Sequence, residues 1–209
     1  MLLFSRQLTL TGSPRKTMAW AVEMTAYANA HSLLDVSLWA SNFGEPLGTV
    51  TWTTIVESQT QLAEGAAALN ADSGYLDLIE QAEDMVTTPG NDLLGDIIYG
   101  APSEPAGIGA VAQVTTATAI VDKMGPAIGF AVEIAQHIES VIGSPIIVLT
   151  SMFGPMGGIG WIGVQPDMAG ADASRAKLLA DSSYLDRLTK TKDLFIPGSG
   201  HVSQSVRLA

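Results

Sequence analysis

Cysteine is absent from this sequence, and basic residues are few. The lack of any Cys among 209 residues excludes disulfide frameworks, thiolate zinc sites, iron–sulfur clusters and cysteine nucleophiles. The 10 Lys and Arg residues stand against 21 Asp and Glu residues, for a formal net charge of −11. Such a chain has no basic patch with which to hold a phosphate backbone or an anionic lipid surface. We therefore expect neither nucleic acid nor a membrane among its partners.

Charge of either sign is scarce as well. Charged residues make up 15% of the chain and hydrophobic residues 47%, and the mean hydropathy is +0.28. This composition is too apolar for a disordered protein and leaves little charge to cover the surface of a monomer. We expect a homo-oligomer that buries part of this surface. The apolar run within residues 1–6 is too short for a signal peptide, which predicts a cytoplasmic protein.

One long stretch, residues 140–166, contains no ionisable side chain and is long enough to cross a bilayer. Glycines and prolines interrupt it, however, and would break a continuous helix. The segment 153–157, Phe-Gly-Pro-Met-Gly, lies between two apolar runs and is typical of a hairpin turn. We predict a buried β-hairpin here rather than a membrane helix.

The first half of the sequence recurs, weakly but in order, in the second half. Matched segments lie 108 to 110 residues apart. They pair 21–24 with 131–134, 41–44 with 151–154, Trp52 with Trp161, 71–77 with 180–186, and 89–90 with 197–198. Because several colinear matches at a nearly constant offset are hard to produce by chance, they indicate a duplicated unit.

Each half has the same predicted order of elements, βαββαβ. Period-two alternation and β-branched runs indicate the strands, and Ser13 followed by Pro14 marks the start of the first helix. The predicted strands are 2–11, 33–41, 47–57, 93–99, 109–119, 145–153, 157–165 and 201–208. The predicted helices are 14–30, 59–69 with a restart at 72–73, 122–142 and 169–191. The sequence thus predicts a first repeat at 1–100, a linker at 101–107 and a second repeat at 108–209.

A βαββαβ unit forms an antiparallel sheet with both helices on one face, so two units can cover each other's bare face. This arrangement, with the Leu, Asp and Tyr residues repeated in segments 69–75 and 179–184, resembles the dimeric α+β barrel superfamily in its duplicated, single-chain form. The NIPSNAP-like branch is the most similar in length and layout. The resemblance implies an α+β fold in which tandem βαββαβ ferredoxin-like repeats form an intrachain α+β barrel.

The resemblance leaves the activity open. The superfamily includes small oxygenases, haem enzymes, proteins similar to muconolactone isomerase and members without known activity. We expect a protein that binds a small apolar molecule between its sheets, as a cofactor-free oxygenase or isomerase. One alternative is a non-catalytic, homo-oligomeric assembly protein. A second alternative is a haem-binding protein, for which His137 is the candidate ligand.

The candidate ligand-binding residues lie on strand faces that would turn toward the space between the sheets. Asp35 and Trp39 share one side of a strand, whereas their second-half counterparts, Pro145 and Leu149, are apolar. This asymmetry favours a pocket for an apolar molecule with a polar end. The predicted pocket consists of Arg6, Asp35, Trp39, Trp52 and Trp161. Arg6 is the expected charge partner of Asp35 or of an anionic ligand, and the competing interpretation places Asp35 in solvent.

Other motifs have structural explanations. Residues 158–163 match GxGxxG, but the repeat aligns them with a β-branched strand, which favours a strand interior over a nucleotide loop. Asp72 and Asp181 precede restarted helices and are interpreted as N-caps. Glu133 and His137 lie four residues apart on one helix, as an exposed pair or as an oriented haem ligand.

The three histidines, His31, His137 and His201, are isolated from one another in the sequence. Neither a HExxH motif nor a paired-His spacing occurs, so we predict no metal site. His201 follows a glycine-containing segment and is interpreted as a loop residue.

Overall fold

The computed structural model describes residues 1–86, 89–101 and 105–209. The strands are β1 (Leu2–Thr9), β2 (Ser37–Phe43), β3 (Thr49–Val56), β4 (Asn91–Tyr99), β5 (Val111–Thr118), β6 (Ile146–Phe153), β7 (Gly158–Gln165) and β8 (His201–Arg207). The helices are α1 (Pro14–His31), α2 (Gln59–Asn70), α3 (Ser73–Glu80), α4 (Met124–Ile142), α5 (Met168–Ala180) and α6 (Ser182–Thr189). Short 3₁₀ segments occupy Val121–Lys123 and Lys190–Asp193. The predicted linker, 101–107, lies partly outside the described residues.

The strands form a closed antiparallel barrel. In the first half they pair in the order β4-β1-β3-β2, and in the second half in the equivalent order β8-β5-β7-β6. Pairing of β2 with β8 and of β4 with β6 joins the halves. We call these junctions the β2/β8 seam and the β4/β6 seam. The predicted α+β fold, with tandem ferredoxin-like repeats forming one intrachain barrel, is confirmed.

Because neighbouring strands are antiparallel throughout, strand starts and strand ends alternate around the barrel. The β2–β3 turn, the β6–β7 turn and the start of β8 therefore share one end of the barrel, which we call the His201 end. Asp35, just before β2, lies at the opposite end, which we call the Asp35 end.

The helices cover the outer face of the barrel and share the buried core with its strands. Trp20 and Met24 of α1 pack with Leu38 and Val50. In the second half, α4 packs on the sheet through a stripe of buried alanines, Ala127, Ala131 and Ala135. Small side chains on one helical face allow a helix to approach the sheet closely, which fills the interface at high density.

The apolar stretch 140–166 forms the end of α4 and the β6–β7 hairpin, as predicted. The two strands pair in register from Ile146 with Gly163 to Thr150 with Ile159. The glycines of the GxGxxG match lie within β7, which confirms the strand interpretation. Among the described residues, no helix is both long and apolar enough to cross a membrane.

Two predictions, the start of β2 and the helix 169–191, differ most from the structure. β2 begins at Ser37 rather than at residue 33, because the side chain of Asn29 forms hydrogen bonds with the backbone groups of Val36. Asn29 Nδ2 donates to the Val36 carbonyl (2.9 Å), and Asn29 Oδ1 accepts from the Val36 N–H (2.7 Å). Such local bonds compete with a strand ladder. The predicted helix 169–191 is divided, because Asp181 Oδ1 accepts from the backbone N–H of Tyr184 (2.9 Å) and starts a new helix.

Candidate functional site: the barrel interior

The barrel encloses a cavity of about 740 Å³. Its wall consists of side chains that alternate along each strand with those that face the helices. On β1, for example, Leu3, Ser5 and Gln7 line the cavity, whereas Leu2 packs with Ala28 of α1 in the core. The volume lies within the range typical of small-molecule pockets, about 300 to 1,000 Å³.

The cavity has one hydroxyl-rich wall and one aliphatic wall. The hydroxyl-rich wall follows the neighbouring strands β3, β2 and β8, through Thr51, Thr53, Ser37, Ser41, Ser203 and Ser205. The aliphatic wall follows β5, β7 and β6, through Val114, Ile162, Val164, Ile147 and Leu149. On these last strands the hydroxyls Thr116 and Ser151 lie near the His201 end. The lining therefore suits an occupant that is mainly apolar and carries polar groups on one side.

Two of the predicted pocket residues, Asp35 and Trp39, line the cavity. Trp39 belongs to the hydroxyl-rich wall, where its indole N–H donates to Thr53 Oγ1 over 3.0 Å. This bond satisfies the only polar atom of the ring and fixes its orientation along the wall. Asp35 is exposed at its own end of the barrel, so it borders both the cavity and solvent. A ligand-binding role for either residue stays a prediction.

Arg6 lies on the outer face of the barrel and does not line the cavity. Its guanidinium forms a bidentate ion pair with Asp92 of β4, with Nε to Oδ1 at 2.8 Å and NH2 to Oδ2 at 2.7 Å. The prediction that Arg6 pairs with Asp35 is therefore wrong. The physical reason is strand alternation, because Arg6 shares its side of β1 with Leu2 and not with Leu3.

Trp52 and Trp161, the matched tryptophans of the two halves, also point away from the cavity. The indole N–H of Trp52 donates to Thr25 Oγ1 on α1 (2.8 Å). That of Trp161 donates to the carbonyl of Ala131 on α4 (3.0 Å). Each ring anchors a helix to the sheet, and the pocket prediction is wrong at both positions.

Gly160 widens the cavity along the aliphatic wall. It occupies an inner position of β7, where the first half has Thr51. A Cβ added at Gly160 would meet Leu149 at 3.8 Å and Thr116 at 3.9 Å, which are ordinary van der Waals contacts. A larger side chain at this position would therefore extend into the cavity without pushing on the backbone.

A polar pair at the His201 end was missed by the sequence prediction. His201 Nε2 lies 2.8 Å from Glu45 Oε1, and both residues line the cavity. Glu45 belongs to the β2–β3 turn, and His201 is the first residue of β8 rather than a loop residue. The two are 156 positions apart, so only closure of the barrel at the β2/β8 seam brings them together. No local sequence pattern signals this pair.

His137, the haem-ligand candidate, lies outside the cavity. Its side chain is 15% exposed, and Nε2 is 3.5 Å from Asp181 Oδ2. The pKa of Asp181 is lowered, first by the backbone N–H of Tyr184 and further by His137. Glu133 pairs with Arg187 instead of His137. Because His137 packs against a helix cap and does not line the cavity, the residues around it do not fit a haem.

The interpretation of Asp72 and Asp181 as N-caps is confirmed. Asp72 Oδ1 accepts from the backbone N–H groups of Gly74 (2.8 Å) and Tyr75 (3.2 Å) at the start of α3, and Asp181 does the same for α6 through Tyr184. In the part of the chain that the structure describes, no group of three or more His, Asp or Glu side chains is arranged to hold a metal ion.

Comparison with known proteins shows the fold. No protein-family model matches the sequence, and no curated protein matches it significantly. A solved structure from Fusobacterium nucleatum, named "Putative monooxygenase", has a TM-score of 0.74 and 12% identity, covering 100% of this chain and 92% of that chain. An anthrone oxidase-like protein has a TM-score of 0.67 and 13% identity, covering 98% of this chain and 91% of that chain.

A shorter likeness involves half of the chain. An uncharacterized NIPSNAP domain protein from Burkholderia xenovorans covers 50% of this chain and 99% of that chain, with 13% identity and a TM-score of 0.41. The full-length likenesses confirm the predicted fold, in which tandem ferredoxin-like repeats form a single-chain α+β barrel. The NIPSNAP likeness, with its lower TM-score, adds nothing to that conclusion.

Proposed function

We propose that this protein binds a small, mainly apolar molecule inside its barrel. The observation that carries the proposal is the cavity of about 740 Å³ between an aliphatic and a hydroxyl-rich wall. A core that served stability alone would be close-packed, because a void forfeits dispersion contacts and destabilises the fold. Gly160 keeps the aliphatic wall open where a larger side chain would fit, which supports a cavity that is kept for an occupant.

As the activity, we propose an oxygenase reaction on the bound molecule without a resident cofactor, with isomerisation in the same cavity as the alternative. The support is the full-length likeness in fold to proteins named for monooxygenase and anthrone oxidase activity. The barrel wall also separates a reacting molecule from much of the bulk water, which strengthens electrostatic interactions with it. An absorption spectrum of the purified protein checks the cofactor: we expect neither a haem nor a flavin band.

The binding proposal is tested by filling the cavity. Naphthalene, measured by equilibrium dialysis, should bind to the wild-type protein, and Gly160→Leu should weaken its binding at least about tenfold, since an isobutyl group removes the space and the contacts. Gly129→Leu is the control, because Gly129 is exposed on α4 with open space around it. It should bind naphthalene as the wild type does. Equal weakening in both variants, or no binding to the wild type, would contradict the proposal.

The second candidate is a homo-oligomeric assembly protein that carries no reaction. Large apolar side chains are exposed on both hairpin turns at the His201 end, namely Phe43, Leu47, Phe153 and Met156. Exposed apolar groups concentrated at one end are typical of an interaction surface. This candidate would be preferred if native mass spectrometry found no small molecule retained by the protein and naphthalene did not bind.

A further inference from the structure

We propose that His201 and Glu45 form the polar end of the ligand site and that they select an apolar molecule carrying a hydroxyl group. This inference rests on the proposed function, and it names the ligand class. It follows from the geometry of the β2/β8 seam, from the hydrogen-bonding chemistry of the pair, and from a difference between the two seams of the barrel.

The β2–β3 turn, which carries Glu45, packs closely against two neighbouring segments of the barrel. Gly44 has φ +87°, and a Cβ there would overlap the carbonyl oxygen of Val202 on β8. Gly48 also has φ +87°, and a Cβ there would overlap the carbonyl oxygen of Leu10. Both positions therefore require glycine. The close approach on both sides fixes where the Glu45 carboxylate lies, and its side chain is only 18% exposed.

The other partner, His201, is held by the start of β8. It pairs with Thr116 of β5, and two hydrogen bonds with Thr118 fix the loop that precedes it. The backbone N–H of Ile196 donates to the Thr118 carbonyl (2.8 Å), and the Thr118 N–H donates to Ser199 Oγ (3.0 Å). The imidazole is 51% exposed while lining the cavity. The cavity thus reaches the surface beside His201.

The bond between the two side chains determines what His201 can offer a ligand. A carboxylate is only an acceptor, so the ring nitrogen facing Glu45 carries the hydrogen when the imidazole is neutral. That nitrogen is Nε2. The other ring nitrogen, Nδ1, is then an acceptor. The pair therefore favours a ligand that donates a hydrogen bond, and the nearby negative charge of Glu45 disfavours an anionic one.

The equivalent positions at the β4/β6 seam lack this chemistry. Asn91 of β4 pairs with Gln7 of β1, and His201 of β8 pairs with Thr116 of β5. Because β1 and β5 are the equivalent strands of the two halves, Asn91 is the counterpart of His201. The repeat makes Pro155 the counterpart of Glu45. Both counterparts line the cavity, but neither can form a carboxylate–imidazole pair. The duplicated scaffold thus has this polar pair at one seam, which gives a bound molecule one preferred orientation.

The experiment compares two probes that differ in one hydrogen-bond donor. 2-Naphthol carries a hydroxyl, and 2-methoxynaphthalene has the same rings without the donor. Equilibrium dialysis gives a Kd for each probe, and the ratio of the two constants measures selection for the hydroxyl. We expect wild-type protein to prefer 2-naphthol by about tenfold, the value of one hydrogen bond of ordinary strength.

Two variants assign that preference to the pair. His201→Phe should abolish the extra preference while still binding 2-methoxynaphthalene, since the aliphatic wall is unchanged. Glu45→Gln should reduce the preference, because a glutamine amide can donate to Nε2 and leave Nδ1 as the hydrogen-bearing nitrogen. Glu57→Gln, at an exposed position before α2, is the matched control and should keep the wild-type ratio.

The outcomes separate this inference from the proposed function. Equal binding of both probes by the wild type, or an unchanged ratio in His201→Phe, would overturn the role of the pair and leave an apolar binding cavity. Failure of both probes to bind would overturn the inference and the proposed function together. A preference for 2-naphthol that is lost in His201→Phe and kept in Glu57→Gln would support it.

Discussion

The hydroxyl of Tyr27 on α1 donates to Asp72 Oδ1 over 2.7 Å, which ties the longest helix of the first half to the cap of α3. Two backbone N–H groups donate to the same carboxylate, and His31 Nδ1 lies 2.9 Å from Oδ2. The Tyr27 and His31 rings are stacked, with centroids 3.9 Å apart. The hydrogen bond from Tyr27, with those from Tyr75, His31 and Gly74, lowers the pKa of Asp72 from 3.8 to about 2.

This low pKa predicts an acid-sensitive contribution of Asp72 to stability. The folded protein binds the Asp72 proton less readily than the unfolded chain, so the contribution is fully present above about pH 4 and is lost as the pH falls toward about 2. Asp72→Asn should lower the free energy of unfolding at pH 7. The difference from wild type should shrink as the pH falls from about 4 to about 2.

Urea unfolding at a series of pH values measures this difference. Asp84→Asn, at an exposed position after α3, is the control and should follow the wild-type curve. A constant gap between wild type and Asp72→Asn over the whole pH range would show that the charge of Asp72 is not what stabilises the cap.

Replacement by valine should have opposite effects on the free energy of unfolding at two buried threonines. Thr25 Oγ1 donates to the Ala21 carbonyl (2.7 Å) and accepts from the Trp52 indole (2.8 Å). Thr25→Val would leave the Trp52 N–H without a partner and should cost about 1 to 3 kcal/mol. Thr54 Oγ1 is buried without a hydrogen-bond partner among the described residues. Thr54→Val should stabilise by up to about 1 kcal/mol, because it removes that desolvated hydroxyl.

The two variants are each other's control, since both exchange a hydroxyl for a methyl group at a buried site. Thermal or urea unfolding of each gives the change in the free energy of unfolding. Destabilisation by Thr54→Val of the same size as by Thr25→Val would mean that the Thr54 hydroxyl has a partner after all.

The positions of the strands could be predicted from the sequence, but the faces of some strands could not. The duplication supplies two versions of each element, which is why residues 158–163 could be assigned to a strand rather than to a nucleotide loop. On β1, however, Leu2 faces the helices and Leu3 faces the cavity. Alternation separates Leu2, Phe4 and Leu8 from Ser5 and Gln7. In this barrel one face of the strand is covered by helices and the other borders the cavity, so the pattern alone does not show that the side of Arg6 faces the helices.

The His201–Glu45 pair was unpredictable for a different reason. Its geometry depends on the register of β2 with β8, which shifts between Ser41 and Phe43. A register of this kind is set by closure of the whole barrel and by the tight approach of Gly44 to β8, rather than by residues adjacent in sequence. By contrast, the caps at Asp72 and Asp181 are local features and could be predicted.

Replacement by alanine should have opposite effects on stability at two helical glycines. Gly129 is exposed on α4 with open space where a Cβ would lie, so Gly129→Ala should stabilise by about 0.5 to 1 kcal/mol through helix propensity. A Cβ at Gly74 would overlap the Tyr27 hydroxyl. Gly74→Ala should therefore displace that hydroxyl from Asp72 and destabilise the protein. Differential scanning calorimetry of both variants checks the signs, and stabilisation by Gly74→Ala would contradict the arrangement around Asp72.

The exposed apolar side chains at the His201 end lead to a prediction about assembly. Leu47 is 97% exposed and Met156 is 73% exposed, and they lie on the two hairpin turns of the same barrel end. Burial of such side chains against a second copy would be favourable. Light scattering at micromolar concentration should therefore give a mass above the 21.8 kDa of one chain, and the double variant Leu47→Ser, Met156→Ser should lower it.

Leu33→Ser, at a position 83% exposed near the Asp35 end, should leave the mass unchanged. If Leu33→Ser alone dissociated the assembly, the contact surface would lie at the other end of the barrel, and a wild-type mass of one chain would rule out the homo-oligomer.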